Sequence, residues 1–230
     1  MSLTRRAVIA ASLAGLAASK AARGDSQPRE SLTFVCVPGT WHGGWVWTPL
    51  AEALRRRGHR CFRVTCTGVG ERAHLLRPDV GLDTHARDVT QVIRYEALER
   101  VVLVGHSVAG VTITEVADRL AGSGRVAALL YYDAFVPTPE RPAWVMRDDA
   151  GQWTEPASFA NGGWRDYPRA YVHCTGQTYR QSSSAMYGPA KAPGWQFEAS
   201  DTVRLGMLTA PEYTAALFER IGNNLLTATA

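Results

Sequence analysis

The 230-residue chain is 46% hydrophobic and 20% charged, which suits one ordinary globular domain with enough apolar residues for a buried core. Its formal net charge of +4 is carried by Arg5, Arg6, Lys20 and Arg23, since residues 1–24 hold no acid and the rest of the chain balances to zero. The basic balance is therefore no footprint of a nucleic-acid or anionic-surface partner, and no run of about 20 apolar residues offers a membrane span.

Residues 1–24 read as an export signal. Thr4-Arg5-Arg6 is followed by Val8-Ile9, a weak Ala-rich apolar stretch to Ala18 and small residues around Lys20. This layout resembles a twin-arginine leader and predicts a periplasmic or extracellular protein. Residues 25–230 are then a single domain.

In chain order, strands and helices alternate. Leu32 to Val37 is a short β-branched run stopped by Pro38-Gly39. Trp45 to Arg57 has helical spacing through Leu50, Ala53 and Leu54, and Gly58 ends it. Cys61 to Thr65 is the next strand. Asp83 is placed to cap a helix running to about Leu98. Val101 to Val104 is a fully apolar strand, Val108 to Leu120 a helix and Val126 to Tyr132 another buried strand.

Residues 137–168 carry five prolines and three tryptophans and read as an irregular, cap-like insertion. Arg169 to Cys174 and Trp195 to Ala199 are further strands. The last helix begins at the capping box Thr209-Ala-Pro-Glu212 and is expected to end near Gly222. Buried strands alternating with helices predict an α/β fold: a mostly parallel, doubly wound sheet with helices on both faces and its site at the carboxyl ends of the strands.

Cys36, Cys61, Cys66 and Cys174 form no metal-type CxxC. Cys61 and Cys66 fall on one predicted strand, about 16 Å apart at about 3.3 Å per residue, too far to bridge. Other pairings stay open, beside the simpler reading of small buried hydrophobes. No dinucleotide fingerprint or phosphate loop is present, so no cofactor is expected. Gly68-Val-Gly70 reads as a turn.

Chemistry concentrates at Gly105-His106-Ser107-Val108-Ala109-Gly110, between a buried strand and a helix. That context gives a G-x-S-x-G-like match its meaning: a sharp turn raises Ser107 above the sheet at a helix N-terminus. The Val108 N–H is one candidate oxyanion donor. The Val37-Pro-Gly-Thr-Trp-His-Gly-Gly44 loop after the first strand offers a second at Thr40. His42 reads first as a hydrogen-bonded loop residue. Asp133 is either an active-site acid or a structural carboxylate.

These stretches resemble a branch of the α/β-hydrolase superfamily that includes hydroxynitrile lyases, plant methylesterases and related bacterial esterases. The resemblance is carried by Pro38-Gly-Thr-Trp-His-Gly-Gly-Trp45, Thr67-Gly-Val-Gly-Glu-Arg-Ala-His-Leu-Leu76, Leu82-Asp-Thr-His85, Gly105-His-Ser-Val-Ala-Gly110, Tyr132-Asp-Ala-Phe-Val-Pro137 and Thr209-Ala-Pro-Glu212. It implies an α/β-hydrolase fold, a serine nucleophile at Ser107 and a small ester or carbonyl substrate; the insertion after Asp133, about 35 residues long, is shorter than the family leads one to expect, so a small or reduced cap is predicted.

It also exposes departures. Relatives place the triad histidine just before the last helix, and counting back from Thr209 puts Arg204 there. No histidine follows His173, although in this fold the order is Ser, acid, His. No acid lies between Tyr171 and Phe197, which leaves Asp133 as the alternative acid position. Pro38 stands where relatives usually have histidine. An arginine cannot accept a proton, and a serine without a base is a poor nucleophile. Three functions follow: an esterase whose base comes from His74 or His42; a non-hydrolytic lyase, cyclase or isomerase using Thr40, Val108 and Arg204 to stabilise a carbonyl oxygen; or a binding protein without turnover.

Overall fold

The computed structural model describes residues 31–137, 159, 161–176 and 187–227. The expected leader and most of the 137–168 insertion lie outside them. Six strands form one all-parallel sheet in the order β2-β1-β3-β4-β5-β6: β1 Thr33–Val37, β2 Arg60–Arg63, β3 Val101–His106, β4 Val126–Tyr132, β5 Arg169–Cys174 and β6 Trp195–Ser200. The helices are α1 Thr48–Arg56, α2 Leu82–Tyr95, α3 Ala109–Arg119, the single turn α4 Gly206–Thr209, and α5 Pro211–Thr227.

The β3 sequence explains the layering. Because strand side chains alternate between faces, Val101 and Leu103 pack with Val89 and Ile93 of α2 and Ile113 and Val116 of α3. Val102 and Val104 pack on the other side with Leu50 and Leu54 of α1 and Phe218 and Ile221 of α5. Both faces of β3 are buried, so its first four residues, Val101 to Val104, are apolar without interruption. The parallel strands all end on one edge of the sheet, and that edge carries the loops that hold Thr40, Ser107, Asp133 and Arg204.

Several expected boundaries move. A 3₁₀ turn, Gly44–Trp47, precedes α1, so the helix starts at Thr48 rather than Trp45. β2 is only Arg60–Arg63, which leaves Cys66 beyond the strand that was expected to carry it. Gly81, not Asp83, occupies the N-cap of α2. Asp83 instead pairs with Arg87 and Arg119, both at 2.9 Å. α5 runs through Gly222 to Thr227, with Gly222 packed within the helix against Leu32 and Phe34 rather than ending it.

All four cysteines are free thiols. Cys36 and Cys61 touch with Sγ atoms 3.6 Å apart, yet the register pairs Cys61 with Phe34 and Cys36 with Arg63. That diagonal offset separates Cα atoms by about 7–8 Å in a sheet, at or beyond the reach of a disulfide. No helix among the described residues is long and apolar enough to cross a membrane.

Candidate active site

Ser107 sits between β3 and α3 with φ of 57°, a left-handed conformation that an L-residue adopts only when its surroundings enforce it. The neighbours show the enforcement. A Cβ on Gly105 would lie 2.7 Å from the Ala109 carbonyl oxygen, and one on Gly110 would lie 2.1 Å from that of Phe135. The Phe135 N–H donates to the Ser107 carbonyl at 2.9 Å, tying the turn to the chain leaving β4. A Cβ on Gly39 would lie 2.7 Å from the Ser107 Cβ, so the loop after β1 lies directly on the serine.

Asp133, the residue after β4, is also left-handed at φ 44° and fully buried. Its amide donates to the Val172 carbonyl at 2.8 Å, and its carboxylate receives the Cys174 N–H at 3.4 Å. Arg204, in the loop between β6 and α4, completes the group. Its Nη1 donates to Asp133 Oδ2 at 2.5 Å and its Nη2 to Ser107 Oγ at 2.5 Å. One guanidinium therefore bridges the serine and the acid. The loop is held by backbone bonds from Gly176 to the Thr202 carbonyl and from Gly206 to the Val203 carbonyl. Tyr132 and Thr202 support it from below, with their hydroxyl oxygens 3.4 Å apart.

Thr40 and Val108 both line a small pocket with Val37, Pro38, Cys66, Val69, His85 and Thr112. Neither amide has a backbone acceptor among the described residues.

All six histidines are described, and none hydrogen-bonds Ser107 Oγ. His42 turns its Nδ1 to the Thr40 carbonyl at 2.7 Å and its ring toward Trp45. His74 is exposed on the 3₁₀ turn Gly70–Leu75. His85 meets the Thr67 carbonyl at 2.9 Å, and burial lowers its pKa. His59 accepts the Leu32 N–H and lies near Glu219. The His106 ring is buried and packs against Trp47 and Tyr132. Burial pushes its pKa well below the ordinary value, with the Arg204 charge and His42 adding to the effect, so its ring stays neutral.

The structure thus brings together Ser107, Asp133 and Arg204, with Thr40 and Val108 beside them, and leaves His42 and His74 engaged elsewhere or exposed. Sequence reasoning missed His173, whose Nδ1 stands 3.5 Å from Asp133 Oδ1. That separation is an ion-pair distance for a protonated ring and not a formed hydrogen bond, because Nδ1 lacks a hydrogen-bond partner among the described residues. The adjacency of β4 and β5 was the signal that could have found it. Among the described residues no cluster of three or more His, Cys, Asp or Glu is placed to hold a metal ion.

The sequence and the fold have counterparts among known proteins. A 104-residue stretch is 54% identical to the carbendazim hydrolyzing esterase of Nocardioides sp. (strain SG-4G), covering 45% of this chain and 42% of that protein. A 129-residue stretch is 36% identical to the probable esterase PIR7A of Oryza sativa subsp. indica, covering 55% and 48%. The chain spans about half the length of the curated relatives it matches, or less. Other relatives are named methylesterases and hydroxynitrile lyases. Among solved structures, an extracellular α/β-hydrolase from a Paenibacillus species superposes with a TM-score of 0.65 at 18% identity, over 83% of this chain and 99% of that one; at that identity the likeness speaks for the fold alone. The Alpha/beta hydrolase family matches residues 34–223, and with the parallel sheet and the serine turn already described, the chain belongs to that family.

Proposed function

We propose that the chain acts on a small ester or carbonyl compound bound over Ser107, with Arg204 standing where the family's triad has histidine, and that it activates the carbonyl electrophilically rather than through a serine alkoxide. The observation that carries this reading is the Arg204 guanidinium, bonded at once to Ser107 Oγ and Asp133 Oδ2. A guanidinium has five donors and no acceptor. With an Arg204 N–H pointed at Oγ, the serine hydroxyl proton is left to be donated outward. A carbonyl oxygen above Ser107 would then receive that hydroxyl together with the Thr40 and Val108 N–H groups, at a helix N-terminus that favours negative charge. Such a site stabilises an enolate or alkoxide oxygen, which is what a lyase, cyclase or isomerase acting next to a carbonyl requires.

The 54% identical esterase stretch favours a second reading, ordinary ester hydrolysis at Ser107 with a base brought in from His42 or His74. Turnover of an ester and β-keto ester panel separates the two. Electrophilic activation predicts product formation that falls steeply in Arg204→Ala and survives in part in Ser107→Ala. A silent Arg204→Ala with a dead Ser107→Ala supports nucleophilic hydrolysis and removes the first reading. Binding without turnover across the panel would assign a binding role instead.

Residues 1–24 support export as part of the same proposal. Lysine at positions 5 and 6 should keep the protein in the cytoplasm if a twin-arginine route carries it; unchanged export would remove that route.

A further inference from the structure

The oxyanion loop, residues 38–44, is held at both ends. At its near end Gly39 packs on Ser107. At its far end it meets the segment after β2. The Gly44 N–H donates to Thr65 Oγ1 at 2.7 Å, and the Thr65 hydroxyl donates onward to Glu71 Oε1 at 2.5 Å. The Thr65 oxygen thus accepts from the loop and gives its one proton to a carboxylate, which fixes the direction of both bonds.

The fit is close. A Cβ on Gly43 would lie 2.0 Å from Glu71 Oε2, and one on Gly70 would lie 2.6 Å from the Gly43 Cα. The Thr65 segment is itself braced. Arg72 Nη1 donates to the Thr65 carbonyl at 2.9 Å and stands 3.6 Å from Asp88 of α2. Asp88 in turn receives the Thr67 N–H at 2.6 Å and the Thr67 hydroxyl at 3.1 Å. Neither Thr65 nor Glu71 bonds Ser107, Asp133 or Arg204.

We infer that Thr65 is a positioning residue: its hydroxyl, oriented by Glu71, anchors the far end of the oxyanion loop and so aims the Thr40 N–H at the oxygen held over Ser107. The inference rests on the carbonyl-binding reading of the site. It predicts an effect on Thr40 that Val108 does not share, because the Val108 amide belongs to the turn between β3 and α3.

The test uses the whole protein and two readouts: the backbone amide signals of Thr40 and Val108 by NMR, and the affinity for phenylphosphonate, a tetrahedral anion that offers an oxygen to both amides without forming a bond. Thr65→Val removes the hydroxyl at nearly constant shape. It should move and broaden the Thr40 signal, leave Val108 in place and weaken phenylphosphonate about tenfold, the scale of one charge-assisted hydrogen bond. Thr65→Ser should behave as the unaltered protein. Glu71→Ala, at an exposed position, should move Thr40 in the same direction by less and serves if Thr65→Val does not fold. An unmoved Thr40 signal, an unchanged affinity, or a Thr65→Ser variant as impaired as Thr65→Val would overturn the positioning role. If the unaltered protein does not bind phenylphosphonate, the carbonyl-binding reading falls, and the amide signals alone decide whether Thr65 sets the loop.

Discussion

Two segments face each other across the Ser107 hydroxyl, and they are built on different rules. The turn at residues 105–110 is determined by backbone contact. Gly105 and Gly110 have carbonyl oxygens where a side chain would stand, and Ser107 is forced to positive φ. The loop at residues 201–206 is fixed by its own backbone bonds, and its chemistry is carried by one side chain, that of Arg204. The first segment cannot change without disturbing the fold. The second can exchange one functional group for another while its backbone keeps the same anchors. On the reading proposed for this site, an α/β-hydrolase frame keeps its serine turn intact while the side chain beside that serine changes.

The largest effect should come from replacing the exchangeable group. A histidine at position 204 could accept the Ser107 proton on one ring nitrogen and donate to Asp133 from the other. Arg204→His is expected to raise hydrolysis of an activated ester by about 10³-fold or more, within the range lost when a triad histidine is removed. No gain in steady-state hydrolysis would mean that more than this side chain separates the site from a working triad.

Removing the group altogether should cost stability as well. Arg204→Ala withdraws the guanidinium from the buried Asp133 carboxylate, and breaking a buried pair on one side costs about 3 kcal/mol. Adding Asp133→Asn should recover most of that loss in urea denaturation. Additive losses in the double variant would show that the pair is not coupled.

The turn should resist what the loop accepts. Gly105→Ala would press a methyl group against three backbone atoms of residues 109–110 within 2.7–2.9 Å, and overpacking of that kind costs about 2 kcal/mol. A thermal melt that matches the unaltered protein would show that the turn is looser than its geometry implies.

The smallest effect concerns pH. The Thr65 hydroxyl bond, with help from a backbone bond, holds the Glu71 carboxyl below its ordinary value of 4.5. A lowered carboxyl contributes stability above its unfolded value and loses it as pH falls through the folded one. The loop anchor should therefore be intact at neutral pH and loosen below about pH 4.5. Glu71→Gln should flatten that part of the Thr40 amide titration; an identical titration would detach Glu71 from the loop.

How much of this was legible in the sequence follows from the range of the interactions. The serine turn was readable because strand, turn and helix are contiguous, and the small residues at 105 and 109 report the sharp bend directly. Arg204 was readable by counting back from Thr209. Asp133 was found by the lack of any acid later in the region. By contrast, the Thr65 anchor joins residues 21 apart through two loops, and no local pattern marks it. His173 stands beside Asp133 only because β4 and β5 pair, with Tyr132 opposite Val172. The length of α5 was misread for a related reason: Gly222 looked like a stop signal, but it lies inside the helix, packed against Phe34 of β1 and Leu32 just before that strand.

The most direct measurement is the rate at which a fluorophosphonate labels Ser107 in the unaltered protein. With Arg204 donating to Oγ and no acceptor for the hydroxyl proton among the described residues, labelling should be absent or close to the rate of a free serine. Rapid, stoichiometric labelling at Ser107 would contradict this and make the residue an activated nucleophile of an ordinary serine esterase.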